Sequence, residues 1–186
     1  FCHLCKYILL VLVDFFIIYL ALVWRYEDEF FCVLSGVFKK ASDSLILGTW
    51  NIRNFDDDRF NYGPRLQESI YYIAEIISHF DVLAVQEICE DLWPLKSLIR
   101  ALGDHQYDYI VTDVTHSSLG GNKERLGFIY DKTKVRFTGV TGEIVLPDKL
   151  LISEENKNGR QFSRTPFGVE FQSGWFKFVF STVHIY

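Results

Sequence analysis

Three features of this 186-residue sequence predict a layered α/β fold with its strands packed in sheets. Two continuous apolar runs of buried-strand length, SLILGTWNI and DVLAVQEI, flank a segment whose apolar residues recur at helical spacing. The second half is a series of β-rich stretches broken by glycine, asparagine and charge. Hydrophobic side chains at 49% and aromatic ones at 17% can fill one globular core with some to spare, which excludes a disordered chain.

In chain order, Tyr7 to Trp24 is apolar except for Asp14. As a helix it would measure about 27 Å at ~1.5 Å per residue, close to a hydrocarbon core of about 30 Å. The apolar region is longer than that of a cleaved signal peptide, and no small-x-small site follows it. The expectation is a transmembrane anchor over residues 1–26, hence a single-pass N-terminal membrane location; a buried core helix is the weaker alternative. Asp14 fits such a span if it is protonated, paired or turned to another helix. The side of the membrane is not set, because Lys6 opposes Arg25, Lys39 and Lys40. Residues 27–44 mix charge with short apolar patches and read as a juxtamembrane connector, so the domain spans 45–186.

Within it, SLILGTWNI reads as a strand, and Leu66, Ile70, Ile73, Ala74, Ile77 and Phe80 mark a helix with Pro64 near its start. DVLAVQEI then reads as a second strand. A short helix from Leu92 to Leu102 should stop at Gly103. YDYIVTDV, RLGFIYD, KVRFTGVTGEIVL, RTPFGVEFQ and WFKFVFSTVHIY read as strands, DKTK as a turn and Glu154 to Arg160 as a polar loop. No internal repeat or low-complexity tract interrupts this order.

A net charge of -5 argues against a protein that coats nucleic acid through bulk charge. It leaves room for an enzyme that handles phosphate esters through a divalent cation, because the ion brings the positive charge. Four cysteines, three of them N-terminal, imply no disulfide framework, and the CHLC string has no second pair at finger distance. The chain contains no methionine and closes on the strand-like FSTVHIY, so it is expected to be a piece of a longer protein.

Three apolar runs end in polar groups: Leu45 to Trp50 at Asn51, Val82 to Val85 at Gln86 and Glu87, and Phe176 to Val183 at His184. Open α/β sheets place sites at strand carboxyl ends. Taken singly, Asn51 reads more readily as a turn-former and His184 more readily as a structurally satisfied imidazole. Glu87 is more telling, since a carboxylate directly after four buried apolar residues costs free energy unless a cation or hydrogen bond satisfies it. In NKERLGFIY, Glu124 is either a solvated charge before a strand or a carboxylate that orients His184.

Taken in order, TWNIRNF, DVLAVQEI, NKERLGFIYD, FSRTPFGVEF and FVFSTVHI resemble the endonuclease/exonuclease/phosphatase superfamily, most of all its deoxyribonuclease-I branch. The resemblance covers roughly residues 45 to 186, about the first half or more of such a domain. It implies a four-layer α/β sandwich, two packed sheets with helices outside, here incomplete. It also implies roles: Glu87 and Asn51 at a metal ion, His184 in acid/base chemistry supported by Glu124, and Arg53 and Arg164 on the substrate's phosphates. The metal would be Mg²⁺, with Mn²⁺ or Ca²⁺ as alternatives, since carboxylate oxygens suit a hard cation and nothing here forms a zinc cage.

Two positions depart from the pattern: Cys89 stands where the nuclease branch has an arginine, and Asn122 stands at its aromatic position before KER. The family's later Asp-x-Asn motif and terminal Asp-His pair would lie beyond Tyr186, so this chain alone is expected to be inactive. The resemblance thus implies a metal-dependent phosphodiesterase, a membrane-tethered endonuclease acting on DNA. The alternatives are a phospholipid or inositol-phosphate phosphoesterase of the same superfamily and a catalytically dead, membrane-tethered binding domain. The membrane contact would run through residues 7–24, and no protein partner is expected.

Overall fold

The computed structural model describes residues 8–13, 44–55, 65–114, 123–145, 147 and 165–184. The elements are β1 (Ile8–Val13), β2 (Leu45–Phe55), α1 (Gln67–Ser78), β3 (Val82–Ile88), α2 (Trp93–Leu102), β4 (Tyr107–Val111), β5 (Arg125–Asp131), β6 (Arg136–Glu143), β7 (Phe167–Ser173) and β8 (Phe176–Thr182). Among the described residues, one sheet has five strands in the order β1-β2-β3-β5-β4, and a second has three in the order β6-β7-β8. β1, β2 and β3 run parallel. The pairs β3 with β5, β4 with β5, β6 with β7 and β7 with β8 are antiparallel.

Strand alternation explains why the apolar runs are continuous. On β2 and β3, Ile46, Trp50, Ile52, Leu83, Val85 and Ile88 pack with α1 and α2 in one core. Their neighbours Leu45, Leu47, Val82 and Ala84 face the other way and pack against Phe167, Val169 and Phe171 of the second sheet. β2 and β3 are therefore covered on both faces, one face by helices and one by a sheet. The inter-sheet core is rich in rings: Phe128 lies 5.8 Å from Phe167 and 5.9 Å from Phe171 between centroids. Burial, with Asp108 nearby, pushes the Tyr130 phenol in this core up to about 12, so it stays neutral at ordinary pH.

The helices end where sequence chemistry says they should. Pro94 sits in the first turn of α2, and Gly103 closes it at φ 96°, a conformation that favours glycine. The DKTK turn joins β5 to β6 through an Asp131 side chain that accepts from the Thr133 backbone and hydroxyl. Gly48 of β2 is required for packing: a Cβ there would lie 2.5 Å from Phe80 and 2.9 Å from Leu83.

Two expectations need correction or narrowing. Ile8–Val13 is not helical: its six residues form a strand paired with β2 from Ile8 opposite Leu45 to Val13 opposite Trp50. A short run of Ile, Leu and Val carries no periodicity of its own, so it satisfies a sheet edge as readily as a helix. The rest of the segment expected as an anchor, and residues 27–43 of the connector, lie outside the described residues. Among the described residues, no helix is long and apolar enough to cross a membrane. Of the four layers expected, a helical layer and two sheets are present among the described residues, while Lys177, Val179 and Ser181 on the outer face of the second sheet are exposed.

Candidate active site

The inter-sheet layer changes character along the strands. On β2 the residues facing the second sheet run Leu45, Leu47, Thr49, Asn51, and on β3 they run Val82, Ala84, Gln86. Apolar packing thus gives way to polar groups toward the strand carboxyl ends, which is where this class of sheet places its sites. His184 arrives from the other sheet, two residues past the end of β8.

Strict alternation would send Glu87 to the helix side, in phase with Val85. A bulge prevents it: β3 pairs Val85 with Gly127 and then Ile88 with Arg125, so Gln86 and Glu87 together oppose the single Leu126. Glu87 takes φ 60°, left-handed backbone unusual for a side-chain-bearing residue. The bulge lets two consecutive residues serve the same face. A matching irregularity on β2 lies between Asn51 and Phe55, where Asn54 takes φ 51°. Backbone of this kind clusters at functional sites, and here it occurs at two adjoining strand ends.

Hydrogen bonds hold the carboxylate in place. Asn51 Nδ2 donates to Glu87 Oε1 at 2.9 Å, and the Asn54 backbone N–H donates to Glu87 Oε2 at 2.9 Å. The Asn51 Oδ1 accepts from the Arg53 backbone at 3.0 Å, which fixes the amide's orientation. His184 Nε2 lies 3.4 Å from Glu87 Oε1 and 3.3 Å from Asn51 Nδ2. Glu124, 7% exposed, completes the cluster: one ligand atom each of Glu87, Glu124 and His184 lie within 4.8 Å of one another. Two carboxylates and an imidazole that close, in a mostly buried setting, form a donor set that fits a divalent cation.

The expected site residues Asn51, Glu87, Glu124 and His184 are therefore brought together from β2, β3, the approach to β5 and the end of β8. Arg53 is exposed at the adjoining strand end, and Arg164 lies outside the described residues. Cys89 is 1% exposed, with its Sγ 3.7 Å from the Glu87 carbonyl, so this position turns inward and presents nothing at the rim.

Sequence reasoning missed the supports. Arg125 Nη1 donates to the carbonyls of Cys89 and Glu90 at 2.8 and 2.9 Å, clasping the chain just after the bulge. Arg65 donates to the Asn54 carbonyl at 3.1 Å and lies 5.1 Å over the Phe55 ring. The one signal for the β2 turn is the asparagine of RNF, a residue type that tolerates left-handed backbone.

No protein-family model matches the chain, and no curated protein sequence matches it. Solved structures do. A mannosyl-6-phosphatase from Bacteroides thetaiotaomicron is 24% identical, over 74% of this chain and 50% of its own, with a TM-score of 0.50. An endonuclease/exonuclease/phosphatase family protein from the same organism is 23% identical, over 73% and 48%, with a TM-score of 0.49. A further member from Leptotrichia buccalis is 15% identical, over 74% and 52%, with a TM-score of 0.46. The chain shares its fold with the mannosyl-6-phosphatase. The chain spans about half the length of the structures it matches.

Proposed function

We propose that the protein hydrolyses phosphoesters at this site with a divalent cation, Mg²⁺ first and Mn²⁺ or Ca²⁺ as substitutes, and that its substrate is a phosphodiester, most directly DNA. The observation that carries the reading is the convergence of Glu87, Glu124 and His184, whose ligand atoms lie within 4.8 Å of one another. A bound cation would neutralise charge on the phosphoryl oxygens and acidify a water. Glu87 would hold it with an orientation set by Asn51 and the Asn54 backbone. Glu124 would supply a second carboxylate, or orient His184, whose imidazole would either complete the donor set or take up and deliver a proton at the phosphate. Arg53, exposed beside them, would meet a substrate phosphate, and Arg164 has the same part in the resemblance.

A second reading, a phospholipid or inositol phosphate as substrate, is favoured by Cys89. Where the nuclease branch has an arginine, this chain has a thiol buried against the Glu87 carbonyl, and exposed Glu90 and Asp91 follow it. Position 89 therefore offers no cation to a DNA phosphate, and the neighbouring Lys123 is ion-paired with Glu90 at 3.1 Å.

The test is a panel of duplex DNA, sphingomyelin and phosphoinositides, assayed with the protein expressed from its complete reading frame, with Mg²⁺ and with chelator. DNA hydrolysis should require Mg²⁺ and fall about tenfold to a hundredfold or more in Glu87→Ala, the loss typical of a disturbed metal site. Unchanged hydrolysis in that variant would refute the role given to Glu87. Turnover of lipid alone would replace the nuclease reading with the second one.

A further inference from the structure

Glu87 and His184 belong to different sheets, so their separation depends on how β8 is registered against β2 and β3. Deeper in the molecule, rings such as Phe128 and Phe171 set that relation. At the site end the interlayer is polar, and apolar interdigitation no longer fixes the spacing there. The Gln86 side chain spans the gap at this level, beneath the Asn51 and Glu87 contacts to His184. Gln86 is 6% exposed, and its Nε2 donates to Thr49 Oγ1 of β2 at 2.9 Å and to Thr182 Oγ1 of β8 at 2.7 Å. Thr182 is itself 5% exposed. Both amide protons are thus committed, one to each sheet, in a buried setting where a lost partner is costly.

The position of this amide in the chain matters as much as its bonds. Gln86 immediately precedes Glu87, and Thr182 stands two residues before His184. Gln86 faces the second sheet by ordinary alternation after Val82 and Ala84, and the bulge that follows brings Glu87 to the same face, directly beside the amide that crosses to β8. An amide bridge is directional and tolerates little change in length, whereas packed apolar groups can slide.

We infer that Gln86 is a positioning residue: through Thr182 it registers the second sheet on the first and so sets the distance between Glu87 and His184. It needs no contact with cation or substrate to do so. The inference rests on the reading that Glu87 and His184 share a cation site, and the experiment separates the two.

Mn²⁺ is titrated into the full chain and its variants, and binding is read directly. Thr182→Val keeps the volume and deletes the hydroxyl; Gln86→Met keeps the length and deletes the amide; Thr182→Ser keeps the hydroxyl. Phe171→Leu, in the inter-sheet core at the level where Phe171 pairs with Phe178, reports what general destabilisation does. Thr182→Val and Gln86→Met should weaken Mn²⁺ binding about tenfold or more, while Thr182→Ser and Phe171→Leu stay near the wild-type value. If Thr182→Val binds like wild type while Glu87→Ala has lost binding, the positioning role of Gln86 is overturned. A Phe171→Leu loss as large as that of Thr182→Val also overturns it, since the effect would then be one of stability. Failure of the wild-type chain to bind Mn²⁺, or binding that survives Glu87→Ala, overturns the site reading and the inference with it.

Discussion

At the scale of single residues, the centre of this protein is a glutamate in an unfavourable backbone conformation. Glu87 at φ 60° costs of order 1–3 kcal/mol relative to a relaxed residue. That cost is offset by bonds to both carboxylate oxygens, from Asn51 Nδ2 and the Asn54 backbone, and by the Arg125 clasp on the two carbonyls that follow. On the proposed function, Asn51 would act on the cation by way of Glu87, whose carboxylate it aims. Asn51→Ala is expected to lower Mg²⁺ affinity about tenfold to a hundredfold, measured by calorimetric titration. An affinity equal to wild type would show that the Asn54 N–H alone is enough to aim the carboxylate.

At the scale of elements, the packing of β2 follows from one small residue. Gly48 faces the helix side, and a methyl group there would lie 2.5 Å from the Phe80 ring. Gly48→Ala should destabilise the chain by about 1–3 kcal/mol through overpacking, seen as a lower urea midpoint at unchanged slope. Much of this architecture was legible in the sequence. The runs of β2 and β3 and the spacing of Ile70, Ile73, Ala74 and Ile77 announced strand, helix, strand, and Gly103 announced the end of α2. The polar ends of the same runs announced Asn51, Glu87 and His184. The β3 bulge was not legible, because a glutamate carries it and φ leaves no trace in that type, while the β2 irregularity had only the asparagine of RNF as its signal. Nor was the fate of Ile8–Val13: six apolar residues without a polar face are compatible with helix and strand alike, and pairing with β2 decides between them.

At the scale of the whole molecule, the site exists only because two sheets meet. Asn51 and Glu87 come from the first sheet, His184 from the end of the second, and Glu124 from the approach to β5. A layer that is aromatic at one end and polar at the other provides both cohesion and a place for charge. The chain's net charge of -5 agrees with the proposed function, in which a bound cation would bring the positive charge that a phosphate substrate requires. The most direct measurement is the structure of the chain soaked with Mn²⁺, read by anomalous diffraction. A Mn²⁺ ion within ~2.0–2.3 Å of a Glu87 oxygen, absent from Glu87→Gln under the same conditions, is the predicted result. A cluster that stays empty at saturating Mn²⁺, or an ion bound equally well in Glu87→Gln, would contradict the account.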